Sequence, residues 1–368
     1  MKVHGLVWLG ILAFLISGHG QIAAQTAAGD GSAPTTGPIA TKDREAAANK
    51  VDGHLRVQAV QSPTELAVAL AFLKCDAKNN LYFMTAPDGV RGIHKLNASG
   101  ERIGLFLPDS PGVKIDFPQS FSITPDGYVY QLIHAHEATR YVFVYRPDGT
   151  LKSTISLQAG SAFDPHVLAV FPSGDFLVSG LEYAKGRDDP IMWPFSRIFS
   201  ADGTVRRELK LRDDEQIHDL AAAGDPRVTP ADRPSSNRAV SGGTAESGPD
   251  GNVYLMRRLS PAIIYAISPG GEVRRFTVDP GQPDLMPVGM HVGGDRIAVL
   301  FWHPQTGEET LKVIDLRGHQ VASYEEPTVN GAGQLGLAFA CYARNPDRFT
   351  FLETGNEHRL RLLTATPQ

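Results

Sequence analysis

The sequence lacks the short motifs by which many enzymes are identified. It has no phosphate-binding glycine loop followed by lysine, no HExxH zinc-binding helix and no Gly-x-Ser-x-Gly nucleophile motif. The formal net charge is only −5, and charges of one sign form no long run. Because a protein that binds nucleic acid normally carries a basic stripe, this balance argues against nucleic acid as a partner.

Long apolar runs are also absent after the N-terminus. Leu6–Ile16 has the length of a signal-peptide core and is too short to span a bilayer. We therefore expect a signal peptide over residues 1–24, with an uncleaved anchor as the alternative. Residues 25–53 are rich in Ala, Gly, Thr and Pro and should form a flexible linker. With no membrane span expected after cleavage, the predicted location is secreted or periplasmic.

Glycine and proline are plentiful, and they concentrate in turns that recur along the chain. A tight turn followed by a β-prone run appears six times, and the matching positions are Leu81, Val129, Leu177, Val253, Ile297 and Phe349. Most intervals are about 44 to 52 residues long, which is the period of propeller blades. A second turn in each unit implies four antiparallel strands. We predict an all-β fold, a six-bladed β-propeller over residues 54–368.

The two ends of the predicted ring carry signals for its closure. The sixth unit lacks a fourth strand, and the alternating segment Leu55–Val60 precedes the first unit, so we expect this segment to complete the last blade. Cys75 and Cys341 end the first strands of the first and last units. A disulfide clamping the ring is the expected state in an exported protein, and two buried free thiols are the alternative.

Two of the turn segments resemble those of a known group of proteins. Gly248–Tyr254, with the sequence GPDGNVY, and the looser copy Pro125–Tyr130 resemble the blade signature of six-bladed propellers of the NHL-repeat and virginiamycin B lyase-like kind. The resemblance covers residues 55–363 and implies the propeller fold. It does not carry the lyase activity, because the catalytic histidine and metal-binding carboxylate of that enzyme cannot be matched here residue by residue.

The variable loops should all fall on one rim of such a ring, where binding usually occurs. They are Ile133–Arg140, Leu181–Pro194, Asp213–Ala239 and Phe301–Thr310. The insertion 213–239 begins with acidic residues and an apolar spacing that predicts a short helix. It is either a lid over the channel or a disordered surface loop. The glycine-rich residues 240–244 that follow are expected on an innermost strand.

Charged and aromatic residues on this rim are the candidate ligand-binding residues. They are Glu182, Trp193, Arg257, Arg258, Trp302 and His303. Guanidinium groups bind carboxylates and phosphates in pairs, so a small polar or anionic molecule is the expected ligand. A protein or peptide is the other expected partner, and an ordinary hydrated rim is the alternative.

Four histidines are the candidate metal ligands. They are His134, His136, His166 and His291. His134 and His136 are two residues apart, a spacing that places both on one face of a strand, whereas His166 and His291 should face the channel. Solvated or hydrogen-bonded imidazoles are the alternative in each case. Two functions are therefore considered: a binding or interaction protein, or a lyase or lactone hydrolase that uses a divalent metal at the channel.

Overall fold

The computed structural model describes most of the chain after residue 52. The described residues are 53–65, 70–85, 92–136, 139–158, 163–183, 192–223, 238–326, 328–329, 332–333, 335–336, 338–354 and 359–368. The predicted signal peptide and almost all of the predicted linker lie outside them. No helix within the described residues is long and apolar enough to cross a membrane.

The described part of the chain begins with strand β1 (Gly53–Glu65), and the next sixteen strands form four antiparallel sheets in chain order. The first sheet contains β2–β5, which are Leu70–Cys75, Leu81–Thr85, Ile93–Leu96 and Arg102–Phe106. The second contains β6–β9, which are Ile115–Ile123, Val129–Ala135, Arg140–Tyr145 and Leu151–Ser156. The third contains β10–β13, which are Phe163–Val170, Phe176–Glu182, Trp193–Phe199 and Val205–Leu209. After helices α1 (Asp214–Ala223) and α2 (Arg238–Ser241), the fourth contains β14–β17, which are Thr244–Ser247, Val253–Arg257, Ala262–Ile267 and Val273–Val278.

The remaining long strands join β1 in one eight-stranded sheet. Its first half contains β18–β21, which are Met286–Gly293, Arg296–Trp302, Glu309–Asp315 and Gln320–Glu325. The short hairpin β22 (Thr328–Val329) and β23 (Ala332–Gly333) follows. The second half contains β1 and β24–β26, the latter being Phe339–Ala343, Arg348–Thr354 and Arg359–Pro367. The strand order is β18-β19-β20-β21-β1-β26-β25-β24.

The innermost strands of the sheets form a closed ring. They neighbour each other in the order β2, β6, β10, β14, β18 and β24, and β24 lies beside β2 again. Hydrophobic clusters fill each space between consecutive sheets. One of them packs Leu81 and Phe83 of the first sheet against Leu352 and Leu362 near the C-terminus. The fold is therefore all-β and propeller-like, with its core divided among the spaces between sheets.

In the first five units, the second turn packs on the outer strand of the preceding sheet. Gly203 has a φ of +89° in such a turn, and a Cβ there would lie 2.1 Å from the carbonyl oxygen of Ser156 on β9. The turn at Gly100 meets β1 in the same way, because Ser62 Oγ and Thr64 Oγ1 donate hydrogen bonds to Gly100 O at 2.5 and 2.8 Å. Glycine is favoured at both corners because φ is positive and a Cβ would strike the neighbouring strand, at its backbone beside Gly203 and at side chains beside Gly100.

Among the described residues, the strands of the two halves of the eight-stranded sheet pair with each other at one corner. β1 and β21 pair in parallel over Gly53–Tyr324 and His54–Glu325. Elsewhere a glycine turn contacts the outer strand of the preceding sheet. At this corner the start of β1 takes that place and pairs with β21. The six separate sheets expected from the sequence are thus seen as four sheets and one eight-stranded sheet, so that prediction is confirmed only in part.

The predicted closure at the chain ends is confirmed. β1 pairs antiparallel with β26 from Leu55–Pro367 to Gln61–Arg361. Cys75 and Cys341 form a disulfide with a Cα–Cα distance of 5.3 Å. The expected helix in the insertion is present as α1, but of the glycine-rich residues 240–244 only Thr244 lies on an innermost strand. Residues 238–241 form α2, and β14 starts only at Thr244.

Candidate functional site

β-bulges interrupt the innermost strands at a similar height in five places around the ring. The residues left out of the ladder are Phe72 and Leu73, Gln119 and Ser120, His166, Val288, and Ala340. A bulge bends the strand and changes the direction of its side chains, and bulges are common beside binding sites. The ring of bulges therefore marks the central channel, the space that the innermost strands enclose.

Proline explains three of these bulges. Pro118, Pro165 and Pro287 each stand directly before a bulged residue. Proline has no N–H to donate to the ladder, so it is found at strand edges and bulges. The first sheet has no proline there, and Phe72 instead adopts a φ of +53°. This left-handed conformation is costly for a bulky residue.

A buried lysine closes the channel below the bulges. Lys74 lies on β2, and its Nζ donates a hydrogen bond of 2.5 Å to Ala245 O on β14, the opposite strand of the ring. Burial lowers the pKa of Lys74, and the neighbouring charge of Glu246 only partly offsets this. The side chain spans the channel and forms its floor.

A carboxylate and a histidine lie at the same height as this lysine. The three residues have the same register in their sheets. Lys74, Glu246 and His291 pair with Tyr82, Tyr254 and Ala298, and each of these partners directly follows one of the six equivalent repeat positions. His291 Nδ1 lies 2.7 Å from Glu246 Oε1, and its Nε2 lies 2.9 Å from Phe339 O. Burial would raise the pKa of Glu246, but His291 and Lys74 outweigh it and hold the pKa below its usual value. The floor thus links the first sheet, the fourth sheet and both halves of the eight-stranded sheet through buried polar groups.

A second polar group lies above the floor, on the side of the long connections. Gln119 Nε2 donates to His166 Nδ1 at 3.1 Å, and His166 Nε2 lies 3.2 Å from Asp164 Oδ2 without good hydrogen-bond alignment. His134 Nε2 donates to Pro165 O at 3.2 Å, while its Nδ1 is 3.9 Å from Asp164 Oδ1. These residues together with Phe72 are called the channel mouth below.

The charges of the channel mouth follow from its burial and hydrogen bonds. Burial and the nearby Arg140 lower the pKa of His134 to about 4, so it is neutral at pH 7. Burial alone would raise the pKa of Asp164, but His166, His134 and Arg140 together hold it below its usual value. A third of the Asp164 side chain is exposed, since its relative accessibility is 33%. The mouth therefore presents a partly exposed carboxylate.

The four candidate metal ligands do not lie together. His134 and His166 share Asp164, His291 pairs with Glu246, and His136 lies 3.7 Å from Asp116 on the exposed edge. Within the described residues, no three His, Cys, Asp or Glu side chains are arranged to hold a metal ion. The metal role of these histidines, and with it the lyase or lactone hydrolase hypothesis, stays a prediction.

Arg257, one of the candidate ligand-binding residues, is fully buried and already bonded. Its guanidinium donates to Ser179 Oγ and Ser196 Oγ on the third sheet at 3.0 and 3.2 Å and to Asp214 at the start of α1 at 3.0 Å. Asp213 accepts two hydrogen bonds from Arg275 at 2.7 and 3.0 Å. Arg257 thus holds the start of the insertion against the ring.

The other rim candidates lie at the ends of strands on the long-connection side. Glu182 accepts a hydrogen bond of 2.6 Å from Arg197, and Trp193 stacks on His218 of α1 at 3.6 Å between ring centroids. His303 Nδ1 accepts from the backbone of its own turn.

Arg258 and Trp302 complete the rim candidates, and both are half-buried. Burial and the charge of Arg238 lower the pKa of Arg258. The ligand role of all six rim residues stays a prediction.

Sequence reasoning expected His166 and His291 to face the channel but missed the other residues that line it. Phe72, Lys74, Gln119 and Glu246 carry no motif, and Asp164 stood out only as a neighbour of His166. The available signal is a proline inside an innermost β-run, as in Phe117-Pro118-Gln119 and Asp164-Pro165-His166. Such a proline predicts a bulge and so a side chain turned away from the usual alternation.

Comparisons with known proteins add evidence on the fold. No protein-family model and no curated protein sequence matches the chain. A candidate exported protein from Bacteroides fragilis has a similar structure, with 11% identity, a TM-score of 0.54, and coverage of 85% of this chain and 95% of that one. A candidate TolB from Agrobacterium tumefaciens has 11% identity and a TM-score of 0.47, covering 86% and 100%. A luciferin-regenerating enzyme has 12% identity and a TM-score of 0.46, covering 84% and 95%. At these identities the likeness concerns the fold alone.

Proposed function

We propose that this chain is an exported six-bladed propeller that binds a small polar molecule at the channel mouth. The blade count rests on the eight-stranded sheet, whose two halves each have the four-strand order of the other sheets. The halves share only the corner at Gly53 and His54. Counting each half as a blade gives a sixth blade made of β24–β26 and β1.

Export is supported by the apolar run at the N-terminus and by the disulfide between Cys75 and Cys341. Disulfides persist in oxidising compartments and are rare in the cytosol. The similar protein from Bacteroides fragilis is also described as a candidate exported protein. We therefore favour a secreted or periplasmic location.

One observation carries the binding proposal: Lys74 makes a floor across the channel beneath a ring of bulges. A ligand that enters from the long-connection side would stop above Lys74 and meet the bulged side chains. Phe72 at a bulge and Asp164 beside one keep 36% and 33% relative accessibility. Concave sites with a few convergent polar groups are the usual form of small-molecule sites.

The proposal is tested by screening small polar molecules by ligand-observed NMR against the full chain and a Phe72→Ala/Gln119→Ala double variant. Binders of the native chain should lose their signal with the double variant and keep it with Val321→Ala, an exposed change on outer strand β21. Circular dichroism checks that each variant is folded. Binders that are indifferent to the double variant would place the site elsewhere.

A further inference from the structure

From the charges and the aromatic ring at the channel mouth, we infer that its ligand is an organic cation, an alkylammonium group held between the Asp164 carboxylate and the face of Phe72. This inference rests on the proposed binding site. It replaces the expectation of an anionic ligand, which came from Arg257 and Arg258 in the sequence.

Asp164 keeps its negative charge, because its neighbours hold its pKa below the usual value. Gln119 Nε2 donates a hydrogen bond to His166 Nδ1, so the other ring nitrogen of His166 is the one that lies beside Asp164. His134 is buried and neutral. Arg140 is the nearby cation, and it is shared between Asp164 and Asp116. Asp116 also pairs with His136 on the exposed edge, so Asp164 is the partly exposed carboxylate at the mouth, at 33% relative accessibility.

The floor adds little charge of its own. The ammonium of Lys74 is bonded to Ala245 O and lies close to Glu246, and Glu246 is bonded to His291. These groups are buried below the bulges, so the electrostatics of the mouth are set mainly by Asp164. A carboxylate at the mouth of a narrow channel attracts cations, because the surrounding protein screens charge less than water does.

Phe72 supplies a second group with the same preference. β2 lies between β6 and β24, so both faces of its sheet are covered, and a side chain there that stays 36% exposed opens on the channel. The bulge between Ala71 and Lys74, with φ +53° at Phe72, holds this exposed position at a cost. The face of an aromatic ring carries a negative quadrupole and attracts cations.

The channel is narrow enough for one small ligand to meet both groups. Lys74 reaches from β2 to the opposite strand β14 with its own side chain, and Phe72 lies two residues before it on the same strand. Asp164 is on β10, which is next to β14 in the ring. A carboxylate and an aromatic face on different sides of a closed-bottomed channel suit a compact ammonium group with a short apolar or hydroxylated tail.

The test compares choline with its neutral isostere 3,3-dimethylbutan-1-ol by titration calorimetry on the full chain. Choline should bind at least about tenfold more tightly than the alcohol. Asp164→Asn should weaken choline binding about tenfold and Phe72→Ala about two- to fivefold. Two matched controls should leave it unchanged: Asp202→Asn, which removes a charge at the other end of the third sheet, and Ile103→Ala on the outer strand of the first sheet.

The outcomes separate this inference from the proposed function. Equal binding of choline and the alcohol, or choline binding that Asp164→Asn does not change, would refute the inference that the ligand is an organic cation bound by Asp164. If neutral molecules bind and lose affinity on Phe72→Ala, the mouth is a binding site for another class of ligand. Should Asp164→Asn fail to fold, Phe72→Leu and the salt dependence of choline binding decide, since a cation bound by Asp164 loses affinity with added salt.

Discussion

Replacing Glu309 with glutamine should stabilise the protein at neutral and alkaline pH. Glu309 lies on β20 with 5% relative accessibility, and its Oε2 has no hydrogen-bond partner among the described residues. Burial, together with the charges of Glu326 and Glu353, raises the pKa of Glu309 to about 8 from its ordinary 4.5. At pH 7 the folded protein therefore holds a proton there that the unfolded chain has released.

The sign and size of the effect follow from this difference. Between pH 4.5 and 8 the folded state binds more protons than the unfolded state, so stability falls as pH rises. The loss is about 1.4 kcal/mol for each step of one pH unit, and it accumulates to at most about 5 kcal/mol by pH 8. Below pH 4.5 both states hold the proton and the loss disappears. Glutamine is uncharged throughout, so the variant avoids this loss.

The measurement is urea unfolding of the native chain and Glu309→Gln at pH 4.5 and pH 8. The two should have similar free energies of unfolding at pH 4.5, and the variant should be more stable by about 2–5 kcal/mol at pH 8. The matched control is Glu308→Gln, an exposed neighbour, which should follow the native chain at both values. Parallel curves for native and Glu309→Gln across this range would refute the reasoning, because they would show that Glu309 titrates normally.

Three further predictions concern the ring and its floor. Glu246→Gln leaves Lys74 and His291 buried without their carboxylate, so it should lower the free energy of unfolding at pH 7 by about 3–5 kcal/mol, and no change in the urea midpoint would argue against a charged floor. Replacing Cys75 and Cys341 together by serine opens a loop closed over a sequence separation of 266 residues and should cost roughly 5 kcal/mol in urea unfolding; a variant as stable as the native chain would contradict the clamp. Gly203→Ala should lower the thermal midpoint clearly more than Gly112→Ala, because both have positive φ but only at Gly203 would the new Cβ strike a neighbour, and equal losses would count against the corner contact.

The repeat and its closure could be predicted from the sequence because they depend on turns. Asp-Gly and Gly-Gly pairs fix where hairpins lie, and their spacing fixes the size of each unit. The last unit lacks a fourth strand and Leu55–Val60 is an unassigned β-segment, so pairing this segment with the last unit completes both. Cys75 and Cys341 stand near the ends of the first strands of the first and last units, so their disulfide followed from the same arrangement.

The residues that line the channel could not be predicted in this way. The side a residue faces is inferred from the alternation of side chains along a strand, and bulges break that alternation. The innermost strand of the second unit, β6, begins at Ile115, and its bulged segment before Phe121 carries Gln119. Lys74 lies on β2, and Ala245 and Glu246 lie on β14, far away in the sequence. The closed ring brings these residues together. A pattern read within one unit cannot show such contacts.

The rim residues show a related limit. Arg257 and Arg258 are adjacent, and the sequence placed both on the surface. In a strand, neighbouring side chains point to opposite faces. Arg257 accordingly enters the space between the third and fourth sheets and binds Asp214, whereas Arg258 stays half-buried near Arg238. Adjacent charges at a strand end therefore should not be assigned to one surface.

The closed ring is tested most directly by hydrogen–deuterium exchange of the full chain, followed in peptides that cover residues 53–65 and 359–368. β1 and β26 share one antiparallel ladder, so their amides should be protected together and should lose protection at the same urea concentration. Fast exchange in residues 55–61 while residues 361–367 stay protected would show that the N-terminal strand is not part of the last sheet.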